Sequence, residues 1–416
     1  MKNYNSIFFI LIALFLQSCK LEITKNWESE FYGKNSDYPR KVILEDNSKN
    51  LIVLGRRFRK DENKKIKHSS SLLKLSNIGE KKKELFLGDR YSEMVNIEKV
   101  DENYWLVGYK GTHGSNKKLW IKIVDENFNT IRDSVLSNQP VSDFPTPKIL
   151  SDKKGNGIIT FNSSKDRSKV YGDLTKVLKI NPKFETIWEK EFQHEFYKKV
   201  SSTISFANFI IDSNDNLLIV GKYKTRVEGE REPIPSLLVL KINQKGGLVW
   251  RKLLRLEGRF NPISITEHLG DYYIVSNVSK RNSQTSMPYV DISLIKLTSS
   301  GELLFNNIIK KNIGDYNSQF SSKIISYENN GLFIIGYTFI HENKNSSKVK
   351  KKDNLIMQID NQGNILFSSL FGENGYGELN DMVKTKNDDF IIIGSSNSNY
   401  RTILDTKWKI YSFEIK

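Results

Sequence analysis

Cysteine is almost missing from this chain, with one residue, Cys19, in 416. A single thiol excludes an internal disulfide and a cysteine-based zinc cluster. Histidine is also scarce. The five present, His68, His113, His194, His268 and His341, fall at no metal-ligand spacing. After the first twenty residues no apolar run approaches membrane-spanning length. No glycine-rich phosphate loop leads from a strand into a helix. Gly111-Thr112-His113-Gly114-Ser115 lacks the pattern of a nucleophile elbow. Asp212-Ser213-Asn214-Asp215-Asn216 lacks the glycine and the distal glutamate of a calcium loop, and reads as a β-turn. The sequence therefore predicts no metal, no cofactor and no visible catalytic constellation. Carboxylates assembled from distant segments are the one enzymatic arrangement that such a search leaves open.

What is present begins with an address. Residues 1–18 carry Lys2 and then the apolar run 7–16, too short for a stable membrane helix and built like a secretory signal. The run ends in Leu16-Gln17-Ser18-Cys19. This tetrapeptide resembles the lipobox of bacterial lipoproteins, which implies cleavage before Cys19 and acylation of its thiol (palmitate among the chains). The expectation is a signal peptide over 1–18, a lipidated tether over 19–25 and one folded body over 26–416. Membrane attachment then rests on the lipid anchor alone. The address is the bacterial cell envelope, as an outer membrane lipoprotein.

The body is repetitive. Residues 353–398 contain four short apolar runs, NLIMQI, ILFSSLF, LNDMVKT and FIIIG, separated by Gly/Asn/Asp turns. Four strands so punctuated, recurring along a chain, describe a β-propeller blade. Two anchors each occur seven times. One is an apolar run closing at Gly55, Gly108, Phe161, Gly221, Ser276, Gly336 and Gly394. The other is an apolar–polar–apolar triplet centred on Lys74, Lys122, Lys179, Lys241, Lys296, Gln358 and Glu414. In a strand, Leu240 and Ile242 face one side and Lys241 the other. The aromatics after the following turn, Trp188, Trp250, Phe305 and Phe367, are expected between blades.

This pattern resembles the propeller repeats of secreted and lipoprotein bacterial proteins. The likeness is clearest over 291–398. Phe161 and Ser276, in place of glycine, depart from it and question the regularity of those two blades. The Trp-Asp dipeptide of WD40 blades and the signature of quinoprotein blades are missing, so the resemblance brings no quinone.

With strands lettered a to d outward from the ring axis, the chain opens on a d strand at Asn26-Trp27-Glu28 and closes on a c strand ending at Ile415. The fold class is all-β, a seven-bladed β-propeller closed by pairing of the N-terminal outer strand with the C-terminal strand. Alternating strands put the b–c and d–a loops on one face and the short turns on the other. The chain carries +16, which falls to +15 when Lys2 leaves with the signal, and the seven b–c segments together carry that same excess. One basic face results, favouring an anionic partner. The candidate anion- or partner-binding residues are Arg56, Arg57, Arg59 and Lys60 in the first b–c segment, and Lys348, Lys350, Lys351 and Lys352 in the sixth.

The leading functional expectation is a non-enzymatic protein-interaction module in an envelope protein complex. By architecture alone this resembles the propeller lipoprotein of the outer-membrane protein assembly machine. The alternatives are binding of a carbohydrate or polyanion, an acidic glycan above all, at the basic loop face, and a glycan lyase or hydrolase. Nucleic acid is not an expected partner of an exported lipoprotein.

Overall fold

The computed structural model describes residues 23–32, 37–45, 50–60, 66–88, 92–111, 117–136, 141, 146–163, 174–193, 196–197, 200–227, 234–281, 288–309, 317–327, 331–341, 349–372, 376–387, 389–397 and 406–415. The protein is a seven-bladed β-propeller of antiparallel four-stranded sheets. Blades 1 to 6 run in chain order over 38–87, 93–135, 148–193, 200–254, 259–309 and 318–371. A two-residue strand, Phe196–Tyr197, adds to blade 4. Blade 7 takes three strands from 376–415 and its outer strand from Ile23–Tyr32.

The closure expected from the sequence is present. Ile23 pairs with Ile415 and Trp27 with Ser412. Lys409 bonds Glu28, and its ammonium lies 3.0 Å from Glu30. Burial alone pushes the Lys409 pKa down, but these two carboxylates more than reverse it and hold the group well above the ordinary lysine value.

The b strands are apolar throughout because both of their faces are covered. Leu51, Ile52, Val53 and Leu54 are all essentially inaccessible. Seven apolar clusters hold the ring, one per blade boundary. Each fully buried Leu, Ile or Val contributes roughly 1.5–3 kcal/mol. The last boundary joins Val53 and Leu73 of blade 1 to Ile393 and Trp408 of blade 7.

The recurring glycine of strand b has a steric cause. In six blades strand a carries one extra residue opposite it, a bulge that sharpens the twist. A Cβ on Gly108 would sit 1.9 Å from the carbonyl oxygen of Glu93, and one on Gly336 1.8 Å from that of Phe320. Ser276 occupies this register in a blade whose bulge is regular. Phe161 marks the true departure, since strand a of blade 3 is only Lys148–Ser151, with no bulge in its register.

The lysines of the triplets are structural. Lys241 lies 2.9 Å from Asp212 in the a–b turn of its own blade, and the Tyr272 hydroxyl of the next blade donates to the same carboxylate at 2.8 Å. Lys74, Glu45 and Tyr104 repeat that arrangement between blades 1 and 2. Asp212 is a turn residue, as expected, and accepts the backbone N–H groups of Asn214 and Asn216. The d-strand aromatics seal the blade boundaries. Trp188 and Trp250 rest on Gly246 and Gly301 in the c–d turns of the blades that follow, and donate to the carbonyls of Gln244 and Ser299.

Candidate functional site

Two connected spaces open within the ring. The first is the axial channel, about 560 Å³, walled by the a strands. The cross-strand register assigns one equivalent position per blade at a single level. Its occupants are Lys41, Asn96, Lys148, Asn208, Ser264, Lys323 and Asp381, and all seven line the channel. Most of this ring latches one blade to the next. Asp381 accepts from Val42 N at 3.0 Å and pairs with Lys323 at 3.1 Å. Asn96 accepts from Ile149 N, and Asn208 donates to the Ile263 carbonyl.

Three members stand apart. Lys41 and Lys148 make no hydrogen bond or ion pair among the described residues, and the Ser264 hydroxyl is buried with no partner. Burial, reinforced by the nearby charges of Lys323 and Lys41, pushes the Lys148 ammonium down to about 7. Two residues beyond Asn96, the Glu98 carboxyl is pushed up by burial against the opposing pull of Lys41 and Lys323.

The second space is a cavity of about 860 Å³ on the loop face, across blades 4, 5 and 6. Strand direction places it there, because its lining comes from the ends of b strands and the starts of a and c strands. Lys222 and Lys224 stand beyond Gly221 on strand b of blade 4. Arg259, Phe260 and Asn261 open strand a of blade 5, with Asn277 and Ser279 beside them. Phe320 and Tyr337 form the wall on blade 6, stacked at 4.9 Å between centroids and 16° between planes. Burial pushes the Lys222 ammonium down to about 8, with Lys224 adding to the effect, and burial raises the Tyr337 phenol. Lys222, Asn261, Ile263 and Ser322 line both spaces, so the cavity is continuous with the channel.

The residues singled out from the sequence fall into separate groups. Arg57 pairs with Asp37 at 3.3 Å and Glu84 at 2.5 Å. Arg56 lies over the Tyr38 ring and donates to its hydroxyl. Lys352 is tied to Glu378 and lies 4.2 Å from the Tyr337 ring centroid, behind the aromatic wall. Lys351 pairs with Asp353, and Lys350 is exposed with a partner of its own. Arg59 and Lys60 end strand Asn50–Lys60, but their side chains lie outside the described residues, as do Lys348, Cys19 and residues 1–18. Sequence reasoning missed Lys222, Arg259, Phe320, Tyr337 and the channel lysines. No motif marks them, because they are spread over six strands of five blades. The recurring apolar-Gly run was the available signal, since the residues just beyond it point to the loop face. Among the described residues no group of three or more His, Cys, Asp or Glu is placed to hold a metal ion.

No family model matches the sequence, nor does any curated protein. Solved structures share the architecture over nearly the whole chain. A polysaccharide lyase of family PL25, an ulvan lyase bound to -[GlcA(1-4)Rha3S]-, superposes with a TM-score of 0.57 at 9% identity, covering 91% of this chain and 95% of that one. A second structure of a PL25 ulvan lyase gives 0.56 at 10% identity, with the same coverage. Drosophila Semaphorin 2a gives 0.51 at 9% identity, covering 92% of this chain and 76% of its own. These likenesses establish the fold. They also correct the leading expectation of a non-enzymatic interaction module in an envelope complex. That reading rested on architecture, and polysaccharide lyases share the same architecture from end to end. The loop face moreover holds a lined cavity, a shape suited to a ligand.

Proposed function

We propose that the loop-face cavity binds an acidic polysaccharide and that the protein is a glycan lyase. One observation carries this reading. A single cavity gathers the cations Lys222, Lys224 and Arg259, the stacked rings of Phe320 and Tyr337, and amide and hydroxyl groups of blade 5. Cations suit carboxylate or sulfate groups, and aromatic faces suit the apolar faces of sugar rings. In the reaction we propose, Arg259 neutralises the uronate carboxylate and so acidifies the neighbouring C–H. Lys222, uncharged in a useful fraction near neutral pH, takes the C5 proton. The electron pair forms the C4–C5 double bond, the C4–O4 bond breaks, and the Tyr337 phenol supplies the proton to O4. The PL25 likeness supports this choice of reaction over hydrolysis.

The test is ultraviolet absorbance of unsaturated uronate ends during incubation with sulfated and unsulfated uronate polysaccharides. We expect absorbance to rise, and Lys222→Met to lower kcat by about 10²–10⁴-fold while the polymer is still retained. Retention without turnover would reduce the reading to binding alone. Neither retention nor turnover on any polymer would refute it.

For location, we propose acylation at Cys19 and anchoring in the outer membrane. Ile23 pairs with the last residue of strand Lys407–Ile415 and so lies on the turn face, which directs the basic loop face away from the lipid. Metabolic labelling with palmitate, lost in Cys19→Ala, checks this. Labelling that persists in the variant would exclude Cys19 as the acylated residue.

A further inference from the structure

The axial channel contains an unbalanced charge. Lys41, Lys148 and Lys323 approach from blades 1, 3 and 6, Arg40 and Lys222 line the same space, and Asp381 and the nearby Glu98 supply two carboxylates. Lys323 is already paired with Asp381. Lys41 and Lys148 have no ion-pair or hydrogen-bond partner among the described residues, and their like charges repel. Both side chains are only partly buried, so water tempers this repulsion, and an anion between them would remove it. A small anion at this level would give both ammonium groups a partner.

We propose that the channel is a binding site for one small oxyanion, sulfate or a carboxylate, held by Lys41 and Lys148. The oxyanion is either a free inorganic ion or a sulfate or carboxylate group of a glycan seated in the adjoining cavity. The site stands on the channel's own geometry and does not require the lyase reading. Lys148 must be charged to hold an anion, and the other charged groups around the channel are Arg40, Lys41, Lys222, Lys323, Glu98 and Asp381. The sign follows from its depressed pKa: affinity is greatest on the acid side and falls as pH rises through the lysine's bound-state value, which lies above about 7.

The experiment titrates sodium sulfate into the whole protein by calorimetry at constant ionic strength. We expect one saturable site at about pH 6, weakening toward alkaline pH. Lys148→Met should bind at least about tenfold more weakly, the loss expected for one charged hydrogen bond, and Lys245→Met, in an exposed turn on the face opposite the cavity, should bind as the parent does. Should Lys148→Met fail to fold, Lys41→Met is expected to give the same loss. Absence of a saturable site, equal binding by the parent and both channel variants, or a flat pH profile would each overturn the proposal. Repeating the titration with a sulfated uronate oligosaccharide present identifies the source. Competition assigns the site to a substrate group, and independence assigns it to the free ion. No turnover is needed, so failure here is distinguishable from failure of the lyase reading.

Discussion

Single residues set the tightness of the ring. Gly336→Ala forces a Cβ into the Phe320 carbonyl, and we expect a loss of about 1–3 kcal/mol by denaturant unfolding. Ser276→Gly, at the same register in blade 5, should change stability by less than about 1 kcal/mol. Asp212 is the second such point. Burial favours its neutral form, but Lys241, the Asn216 N–H and Tyr272 outweigh this and hold the carboxyl below its ordinary range. A depressed carboxyl contributes stability above its unfolded pKa, about 4, and loses that contribution as pH falls through the folded value. Asp212→Asn should therefore cost about 3–5 kcal/mol near neutrality, by stranding Lys241, and should flatten the acid limb of a stability–pH profile. A variant as acid-sensitive as the parent would refute this role. The glycines were legible because a run that ends repeatedly on one small residue signals close approach of backbone. The partners of the lysines were not. Lys241 finds Asp212 in the a–b turn of its blade and Tyr272 one blade on, whereas Lys122 finds Asp133 on strand d.

Among elements, the outer strand Ile23–Tyr32 bears the most weight. It covers the edge of strand Lys407–Ile415 and seats Trp27 against Gly79 of blade 1. Without it an antiparallel edge is open and Lys409 loses both carboxylates. Removal of residues 23–32 should produce self-association in sedimentation velocity, reversed by the same ten residues added as a peptide. A truncated chain that remains monomeric and folds like the parent would contradict this. Strand order, turns and closure could all be read from the sequence, since period-two patterns and turn residues are local. The short a strand of blade 3 was signalled only by Phe161, and the bulges by nothing but the small residue opposite, glycine in five blades and Ser276 in blade 5.

For the whole molecule, function follows from how unlike strands meet around an axis. Three blades contribute to the cavity and seven to the channel, and no segment of chain contains either site. The basic loop residues that drew attention in the sequence include Arg57 and Lys352, which the fold engages in ion pairs. Lys222 and Arg259 line the cavity itself. Strand alternation could be read as a loop face and a turn face, but the cavity depends on side chains brought together by three-dimensional register. A structure of the protein bound to a sulfated glucuronate-containing oligosaccharide tests the account most directly. We predict sugar density between Lys222, Arg259 and Tyr337, with an acidic group turned toward the channel. Density over Arg56 and Arg57, or on the turn face, with the cavity of blades 4–6 unfilled, would contradict it.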